Sequence, residues 1–386
     1  MPEERAGALR DYLEGRTDDM VELLMELASI ESPTDVPESQ HRIQARLGDE
    51  LGRLGFRVRR IPGKDTGGHL FAEPAERTKG RPAQLLIGHS DTVWPIGTLA
   101  SMPVALEDGH VTGPGTFDMK AGLVVGLFAL RALEEAGLEP PATPVWFVNS
   151  DEETGSPESH RWVRLLARHV ARCYVLEPAY GPEGRLKTAR KGVVRYTIRV
   201  AGRPAHAGLD PTAGASAIGE LGSLIGRLHA MTDLDRGITV NVGVVAGGTR
   251  PNVIAAEASA EVDVRVLTLA DRDEIAQRIH ALRAETPGTS ISVKERIGIV
   301  PMERTARNRA LWSQAVEAGR RLGLDLDEFT SGGGSDGNTT SQHTATLDGL
   351  GALGDGAHAD HERVLVAGLP ERAALLAELL MAPLQE

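Results

Sequence analysis

Short apolar runs alternate with helical stretches along the first half of the chain, and this alternation limits the fold more than any other feature. The runs cover residues 85–87, 145–148 and 174–176, and polar or turn-forming residues follow each of them. Helical stretches at about 120–136 and 157–170 separate the runs. Apolar strands that alternate with helices predict an α/β fold, in which helices cover both faces of a mostly parallel sheet.

The pattern changes after residue 184. Alternating polar and apolar residues at 193–200 are typical of a half-buried antiparallel strand, and a β-α-β-β-α-β order, as in a ferredoxin-like unit, is predicted from there on. We therefore expect a catalytic domain of residues 1–183 and 302–386, interrupted by a small α+β domain of residues 184–301. Within the insert, the elements after the first strand are expected at 214–230 (helix), 238–246 and 255–267 (strands), 271–285 (helix) and 290–297 (strand).

Helices are also expected at both ends of the chain. Two amphipathic helices open it, because apolar residues from Met20 to Leu27 and again within 43–54 follow the helical period. Thr17 is the expected N-cap of the first of them. Helical periodicity returns at 306–322 and again from about residue 370.

The charge balance and the single cysteine exclude several kinds of partner and site. The 386 residues include 42 Lys and Arg against 54 Asp and Glu, a net charge of −12 that argues against nucleic acid and membrane partners. No apolar run approaches the roughly 18 residues of a membrane span, and the N-terminal segment lacks the apolar core of a secretory signal, which predicts a cytoplasmic protein. Cys173 cannot form an intrachain disulfide, so any metal site would use oxygen and nitrogen ligands.

Acidic residues and histidines follow the predicted strands, at the edge where an open parallel sheet binds its ligands. Taken singly, such residues are more often helix caps, solvated turns or structural histidines. Carboxylates that converge on one crevice would repel each other strongly, so the set as a whole predicts a divalent cation. The set consists of His89, Asp91, Asp118, Glu152, Glu153, Glu177 and, near the end of the chain, His358.

The order and spacing of these motifs resemble those of the M20 family of two-metal peptidases, over nearly the whole chain. Within that family, residues 250–254 and 263–265 are most similar to the glutamate carboxypeptidase (carboxypeptidase G2-like) branch. The motifs that carry the resemblance are His89-x-Asp91, Gly113-Pro114-Gly115-x-x-Asp118-x-Lys120-x-Gly122, Asp151-Glu152-Glu153-x-Gly155-Ser156, Glu177-Pro178 and Gly356-x-His358.

The resemblance implies two zinc ions per subunit, for which Co²⁺ or Mn²⁺ are the expected substitutes. Asp118 would bridge both ions. His89 and Glu177 would complete one site, and Glu153 and His358 the other. Carboxylate and imidazole groups are donor types that zinc takes.

Two neighbouring residues would take part in catalysis without binding metal. Asp91 would hold the second nitrogen of His89 and raise the basicity of the ring. Glu152 would be the general base, which takes a proton from the attacking water and returns it to the departing amine. The implied reaction cleaves an amide or peptide bond and releases a C-terminal amino acid, with glutamate favoured. Deacylation of N-acyl amino acids and cleavage of dipeptides stay open, because these activities use the same metal ligands and differ in the pocket.

The inserted domain resembles the lid domain through which family members form dimers. Its segment 202–208 resembles the lid histidine motif, which implies that His206 reaches the active site of the partner subunit and helps to bind the oxyanion. Arg265 and Asn252 match positions that bind the substrate carboxylate, and Arg185 stands where the glutamate carboxypeptidase branch has a lysine. The resemblance therefore implies a homodimer and a small peptide or N-acyl amino acid as the substrate.

Two other classes of protein compete with this interpretation. Residues 333–337 fit the G-x-S-x-G pattern of a serine hydrolase, with Ser335 as the nucleophile. That elbow needs an apolar strand before it and a helix after it, whereas residues 325–330 are acidic and 338–346 are polar without helical periodicity, so Ser335 and Asp336 are expected to be ordinary loop residues. A metal-free binding homologue is disfavoured, because every expected ligand type and Glu152 are present.

Overall fold

The structure, a computed structural model, describes residues 2–384. Helices and strands are numbered here in chain order. The α-helices are α1 (Pro2–Glu14), α2 (Thr17–Ala28), α3 (Gln40–Arg53), α4 (Ala121–Glu135), α5 (His160–Ala167), α6 (Ala217–His229), α7 (Leu269–His280), α8 (Ala306–Leu322), α9 (Asp336–Thr340) and α10 (Gly368–Leu380). The strands are β1 (Phe56–Ile61), β2 (His69–Pro74), β3 (Ala83–His89), β4 (Ala105–Glu107), β5 (His110–Thr112), β6 (Thr143–Asn149), β7 (Arg172–Val175), β8 (Leu186–Arg190), β9 (Gly192–Ala201), β10 (Thr239–Gly247), β11 (Glu257–Val266), β12 (Ser290–Ile299), β13 (Glu328–Ser331), β14 (Ala345–Leu347), β15 (Gly354–Asp355) and β16 (Arg363–Leu365).

The chain divides into two compact units. Among the described residues, unit 1 comprises 2–188, 304–330 and 335–384, and unit 2 comprises 189–303 and 331–334. The functional domain limits expected from the sequence, at 183/184 and 301/302, stay predictions. None of the helices described in either unit has the length and apolarity needed to cross a membrane.

The main sheet of unit 1 has six strands in the order β1-β2-β6-β3-β7-β14. The pairs β6/β3, β3/β7 and β7/β14 are parallel, whereas β1/β2 and β2/β6 are antiparallel. Every residue of β3 and β6 is buried, which explains why both strands stand out in the sequence as continuous apolar runs. The predicted α/β fold with a mostly parallel sheet is confirmed.

A small sheet in unit 1 was not predicted. Its order is β15-β16-β5-β4, and Val364 of β16 pairs with Val111 of β5. The strands have only two or three residues each, too few for a periodic pattern to show. Because of this pairing, the loop that contains His358 lies next to the turn that contains Asp118.

The N-terminal helices differ from the prediction. Three helices precede β1 rather than two. Helix α1 was missed because it buries only Ala6, Leu9 and Leu13, and most of its other residues are charged. Thr17 is the first residue of α2 rather than its cap, and its hydroxyl donates to the carbonyl of Glu14. Helix α8, in contrast, covers the predicted residues, and Thr305 caps it.

Unit 2 is a four-stranded antiparallel sheet in the order β10-β11-β9-β12, with α6 and α7 contributing buried residues to its core. Its elements follow each other as β9-α6-β10-β11-α7-β12. This is the predicted ferredoxin-like order. Helix α7 ends at His280, five residues before the predicted end.

Candidate metal centre

Three neighbouring parallel strands bring the candidate ligands to one edge of the unit 1 sheet. His89 is the last residue of β3 and pairs with Asn149, the last residue of β6, after which the chain continues to Glu152 and Glu153. On the other side of β3, strand β7 ends at Val175, two residues before Glu177. The carboxyl ends of parallel strands point the same way, so these side chains converge.

Asp118 reaches the same place from the turn before α4. Gly122, in the first turn of α4, lets the helix pack against the chain that leads to Glu177, because a Cβ atom at this position would collide with the carbonyl oxygen of Leu176. The glycine in the motif Asp118-x-Lys120-x-Gly122 therefore has a packing role that places the turn of Asp118 beside Glu177.

The two carboxylate oxygens of Asp118 face two different histidines. Oδ1 lies 3.3 Å from Nε2 of His89, and Oδ2 lies 3.4 Å from Nε2 of His358. Nε2 of His89 is also 3.5 Å from Oε1 of Glu177, and Nε2 of His358 is 3.1 Å from Oε2 of Glu153. The carboxylate of Asp118 thus lies between two groups of donors, as a bridging ligand would.

Several nitrogen and oxygen atoms of this cluster that could bind a metal ion are buried and have no hydrogen-bond partner. They include Nε2 of His89, Oδ1 of Asp118 and Oε1 of Glu153. Buried polar atoms are nearly always satisfied, so unpaired imidazole and carboxylate donors that converge on one point fit a metal ion. His89 and Glu177 form one candidate group together with Glu152, and His89, Asp118 and Glu153 form another. The residues present therefore fit the divalent metal that the sequence predicts.

The charges of the cluster favour a cation. Burial lowers the pKa of His89, but the neighbouring carboxylates of Asp118, Asp91 and Glu177 outweigh that effect and raise the pKa well above its usual range. Hydrogen bonds to Asp118 and Glu153 raise the pKa of His358 to about 10. The carboxylates thus create a strongly negative potential at both imidazoles. Only 1% of the His89 side chain is exposed against 51% of that of His358, so the centre is open on the side of His358.

Glu152 lies beside the candidate ligands, with a carboxylate oxygen within 4.8 Å of ligand atoms of both His89 and Glu177. Its place outside the ligand set stays a prediction. Burial and the negative charge of Glu177 raise the pKa of Glu152 well above its usual range. A carboxyl group whose pKa is raised in this way holds a proton more readily than an exposed one, which suits a general acid or base.

Asp91 is fully buried and contacts both His89 and the two glutamates. Nδ1 of His89 lies 2.9 Å from the backbone oxygen of Asp91 and 3.5 Å from its carboxylate oxygen Oδ1. The carboxylate instead accepts hydrogen bonds from the backbone N–H groups of Glu152 and Glu153, at 3.3 and 3.2 Å, and from the hydroxyl of Thr34. Asp91 therefore orients His89 mainly through its main chain and holds the two glutamates through its side chain.

The Gly-rich segment contains a residue that the sequence analysis missed. Asp336 was expected to be an ordinary loop residue, but it is buried, begins α9 and accepts hydrogen bonds from Asn149 and Ser156, on either side of the two glutamates. Burial raises its pKa to about 7. Ser335 caps α9, and its hydroxyl donates to Asp348 at 2.6 Å. A helix does follow Ser335, contrary to expectation, but its hydroxyl is used as a cap and as a donor to a carboxylate.

Unit 2 places His206 and Asn252 on adjacent segments. His206 forms an isolated bridge with Val253, and the N–H of Ala207 donates to the carbonyl of Asn252. The His206 side chain is exposed, and its Nδ1 accepts hydrogen bonds from the N–H groups of Gly208 and Leu209, at 3.2 and 3.1 Å. The geometry of this turn leaves Nε2 as the nitrogen that faces away from the main chain.

The two arginines predicted to bind substrate have different surroundings. Arg265, near the end of β11 in unit 2, donates to the carboxylate of Asp263 and to the carbonyl of Gly332. Arg185, in unit 1, lies over the stacked rings of Tyr180 and Phe329, at 5.0 and 5.4 Å from the ring centres. Both guanidinium groups are thus held in place by neighbours of their own unit.

Known proteins that this chain resembles include a carboxypeptidase, a deacetylase and an aminopeptidase. The chain is 29% identical to carboxypeptidase G2 of Pseudomonas sp. (strain RS-16) over 371 residues, which covers 94% of this chain and 88% of that protein. It is also 29% identical to the acetylornithine deacetylase of Myxococcus xanthus over 276 residues, or 67% of this chain and 70% of that protein. Among solved structures, aminopeptidase PepT of Bacillus cereus ATCC 10987 has the same fold, with a TM-score of 0.81, 23% identity and coverage of 95% and 98% of the two chains.

A match to a protein family covers the whole candidate cluster. The model of peptidase family M20/M25/M40 matches residues 85–382, a range that includes every candidate ligand from His89 to His358. Metallopeptidases of the M20 family depend on metal, in agreement with the unpaired donors around Asp118. The chain therefore belongs to peptidase family M20/M25/M40, a family of peptidases and amidohydrolases.

Proposed function

We propose that this protein is a zinc-dependent hydrolase that cleaves an amide or peptide bond and releases a C-terminal amino acid, with glutamate favoured. Two zinc ions per subunit would be held by His89 and Glu177 on one side and by Glu153 and His358 on the other, with Asp118 between them. The observation that carries the proposal is the position of Asp118, whose two oxygens face His89 and His358 at 3.3 and 3.4 Å.

The residues around the ions have separate tasks in the proposed reaction. Bound zinc supplies Lewis acidity, which polarises the scissile carbonyl and acidifies water. Glu152 takes a proton from the attacking water and delivers it to the nitrogen of the departing amine, a role that its raised pKa supports. The carboxylate of Asp91 holds the backbone of Glu152 by a hydrogen bond to its N–H, so the base keeps its position during both transfers.

Residues of unit 2, together with Arg185 of unit 1, complete the proposal. Because Nδ1 of His206 accepts two backbone hydrogen bonds, the neutral ring carries its proton on Nε2, which can then donate to an oxyanion. In the proposed homodimer, which would form through unit 2, His206 serves the active site of the partner subunit. Arg265, Asn252 and Arg185 are proposed to bind the substrate, with the α-carboxylate as the group that an arginine recognises best.

A second candidate is an N-acyl-amino-acid deacylase. It would use the same metal ligands and the same base, and the similarity to acetylornithine deacetylase supports it. The similarity to carboxypeptidase G2 extends over more of the chain and supports the first candidate. The two differ in the acyl group and in the amino acid that leaves.

Metal analysis and a substrate panel test the proposal together. The purified protein should contain close to two zinc ions per chain, lose activity with a chelator and regain it with Zn²⁺ or Co²⁺. N-acyl amino acids and dipeptides, compared by amine release, should give the largest kcat/KM when glutamate is the C-terminal residue. Activity that survives chelation but is lost to a serine-directed acylating reagent would contradict the metallohydrolase. A preference for neutral or basic leaving groups would favour the second candidate.

A further inference from the structure

Glu362 is a buried carboxylate that no step of the proposed reaction uses. None of the residue is exposed, and its two oxygens accept four N–H hydrogen bonds. Oε1 accepts from the backbone N–H groups of Phe117 and Asp118, both at 2.9 Å. Oε2 accepts from the backbone N–H of Gly115 at 2.9 Å and from the indole N–H of Trp94 at 2.8 Å. Three of the four donors therefore belong to the turn that carries Asp118.

The same residue is joined to the loop of His358. Glu362 follows His358 by four residues, its N–H donates to the carbonyl of Ala359 at 3.0 Å, and its own carbonyl accepts from Gly113. The loop closes tightly, because Gly356 has a φ of 80° and a Cβ atom there would come within 2.9 Å of the backbone of Glu362. A single side chain thus connects the backbones of two segments whose side chains, Asp118 and His358, face each other in the cluster.

We propose that Glu362 is a positioning residue of the metal centre, which holds the turn of Asp118 at the distance from His358 that metal binding requires. The inference rests on the proposed metal centre and adds a residue to it. Since Asp118 lies between both groups of ligands, a shift of its turn would change the affinity for both ions. Supporting groups of this kind typically contribute a factor of 10–100 to metal affinity.

The capacity of Glu362 to accept four hydrogen bonds is essential to this role. An ionised carboxylate only accepts hydrogen bonds, and it can satisfy all four donors at once. Glutamine has nearly the same shape, but its NH₂ group is itself a donor and would face two of the N–H groups that Glu362 binds. At least two buried donors would then lose their partner, so the turn of Asp118 should move away.

Metal affinity of Glu362→Gln, measured by competition with a chelating dye for Co²⁺, tests the inference directly. We expect both affinities to fall by about 10–100-fold and the visible absorption bands of the Co²⁺-loaded protein to change. The matched control is Asp360→Asn, which removes the same charge from the same loop. The Asp360 side chain is 99% exposed, so this variant should bind Co²⁺ within about threefold of the wild type.

A second variant tests whether Glu362 acts on metal binding through the turn of Asp118 or through the loop of Trp94. Trp94→Phe removes one of the four donors and leaves the three backbone N–H groups of the Asp118 turn in place. We expect it to bind metal within about threefold of the wild type, because its hydrogen bond leads to another loop. An effect as large as that of Glu362→Gln would show that Glu362 acts through the Trp94 loop, which would overturn the inference.

The possible results distinguish an error in the proposed metal centre from an error in the role proposed for Glu362. A wild-type protein that binds no divalent ion contradicts the proposed metal centre. If the wild type binds metal and Glu362→Gln binds it as tightly as Asp360→Asn does, the metal centre stands and the role of Glu362 is wrong. A lower free energy of unfolding of the metal-free variant, with unchanged metal affinity, would also show a merely structural role. If Glu362→Gln does not fold, Glu362→Asp, which is too short to reach all four donors, is judged by the same comparison.

Discussion

The candidate metal cluster of unit 1 and the His206 turn of unit 2 each contain a histidine with a proposed role in the reaction, but different parts of the chain hold the two rings in place. His89 is buried and lies among side chains that come from three strand ends and a turn. His206 is exposed, and the N–H groups that fix its ring belong to residues two and three positions further along the chain. Charged groups that are buried need partners from several elements, whereas an exposed ring needs only a local turn. Substitutions in the cluster should therefore affect metal binding and folding, and substitutions in the turn should affect only the step that His206 performs.

The largest effect is expected for His89→Ala. The variant loses a ligand outright, so its metal affinity should fall by more than the roughly 10–100-fold that the loss of a supporting group costs. Activity should become undetectable at ordinary metal concentrations. Metal content after dialysis, together with kcat at increasing Zn²⁺ concentration, measures the effect. Full metal content in this variant would show that the cluster is not the metal site.

Glu152→Gln should have the next largest effect, but without metal loss. A lost general base lowers turnover by about 10²–10⁴-fold, and the proposed role predicts that both ions remain bound. Glu153→Gln is the matched control, because the adjacent residue is a proposed ligand and its loss should weaken one ion. Since the carboxylate of Glu152 lies close to His89 and Glu177, equal metal loss in the two variants would make Glu152 a ligand.

His206→Ala should retain both ions and the fold while turnover falls by about 10²–10³-fold, as is typical when one oxyanion donor is removed. Metal analysis and kcat measure this contrast with His89→Ala. Wild-type activity in the variant would place His206 outside the reaction.

Subunit mixing decides which active site His206 serves. Inactive His206→Ala and inactive Glu152→Gln are combined and allowed to exchange subunits. If His206 acts across the dimer, each mixed dimer contains one site without either defect, and activity reappears. No recovery despite verified exchange would assign His206 to the site of its own subunit.

The smallest effects concern stability. Asp91→Ala leaves two partly buried backbone N–H groups, those of Glu152 and Glu153, without their acceptor, so the free energy of unfolding should fall by about 1–3 kcal/mol. His206→Ala changes an exposed side chain and should stay within about 0.5 kcal/mol of the wild type. Urea denaturation of both metal-free variants gives the comparison. Similar losses in the two variants would contradict the difference between buried and local support.

The sequence predicted the parts of the fold that depend on continuous burial or on period. Strands β3, β6 and β7 and helix α8 appear where apolar runs and helical spacing placed them. It did not predict α1, whose few buried residues are separated by charges, nor the two- and three-residue strands around His358. These elements are stabilised by contacts with distant parts of the chain, and such contacts leave no local pattern.

The sequence likewise predicted some residues of the candidate site and not others. Residues His89, Asp118, Glu153, Glu177 and His358 could be selected because their types suit a metal and their motifs resemble a known family, and the structure brings them together. Asp336 could not be selected, because an acid in a Gly-rich segment is usually solvated. In the structure it is buried and accepts hydrogen bonds from Asn149 and Ser156, which are more than 170 residues away in sequence.

The residue order alone indicated which chemical groups are available, that three apolar strands end beside them, and that elements of ferredoxin-like order follow. Folding then sets which oxygen of Asp118 faces which histidine, how Asp91 holds the two glutamates by their backbone, and how Glu362 joins the turn of Asp118 to the loop of His358. The reason is physical. Local patterns record burial and period, whereas hydrogen-bond partners of buried charges depend on which distant backbone groups the folded chain brings within about 3 Å.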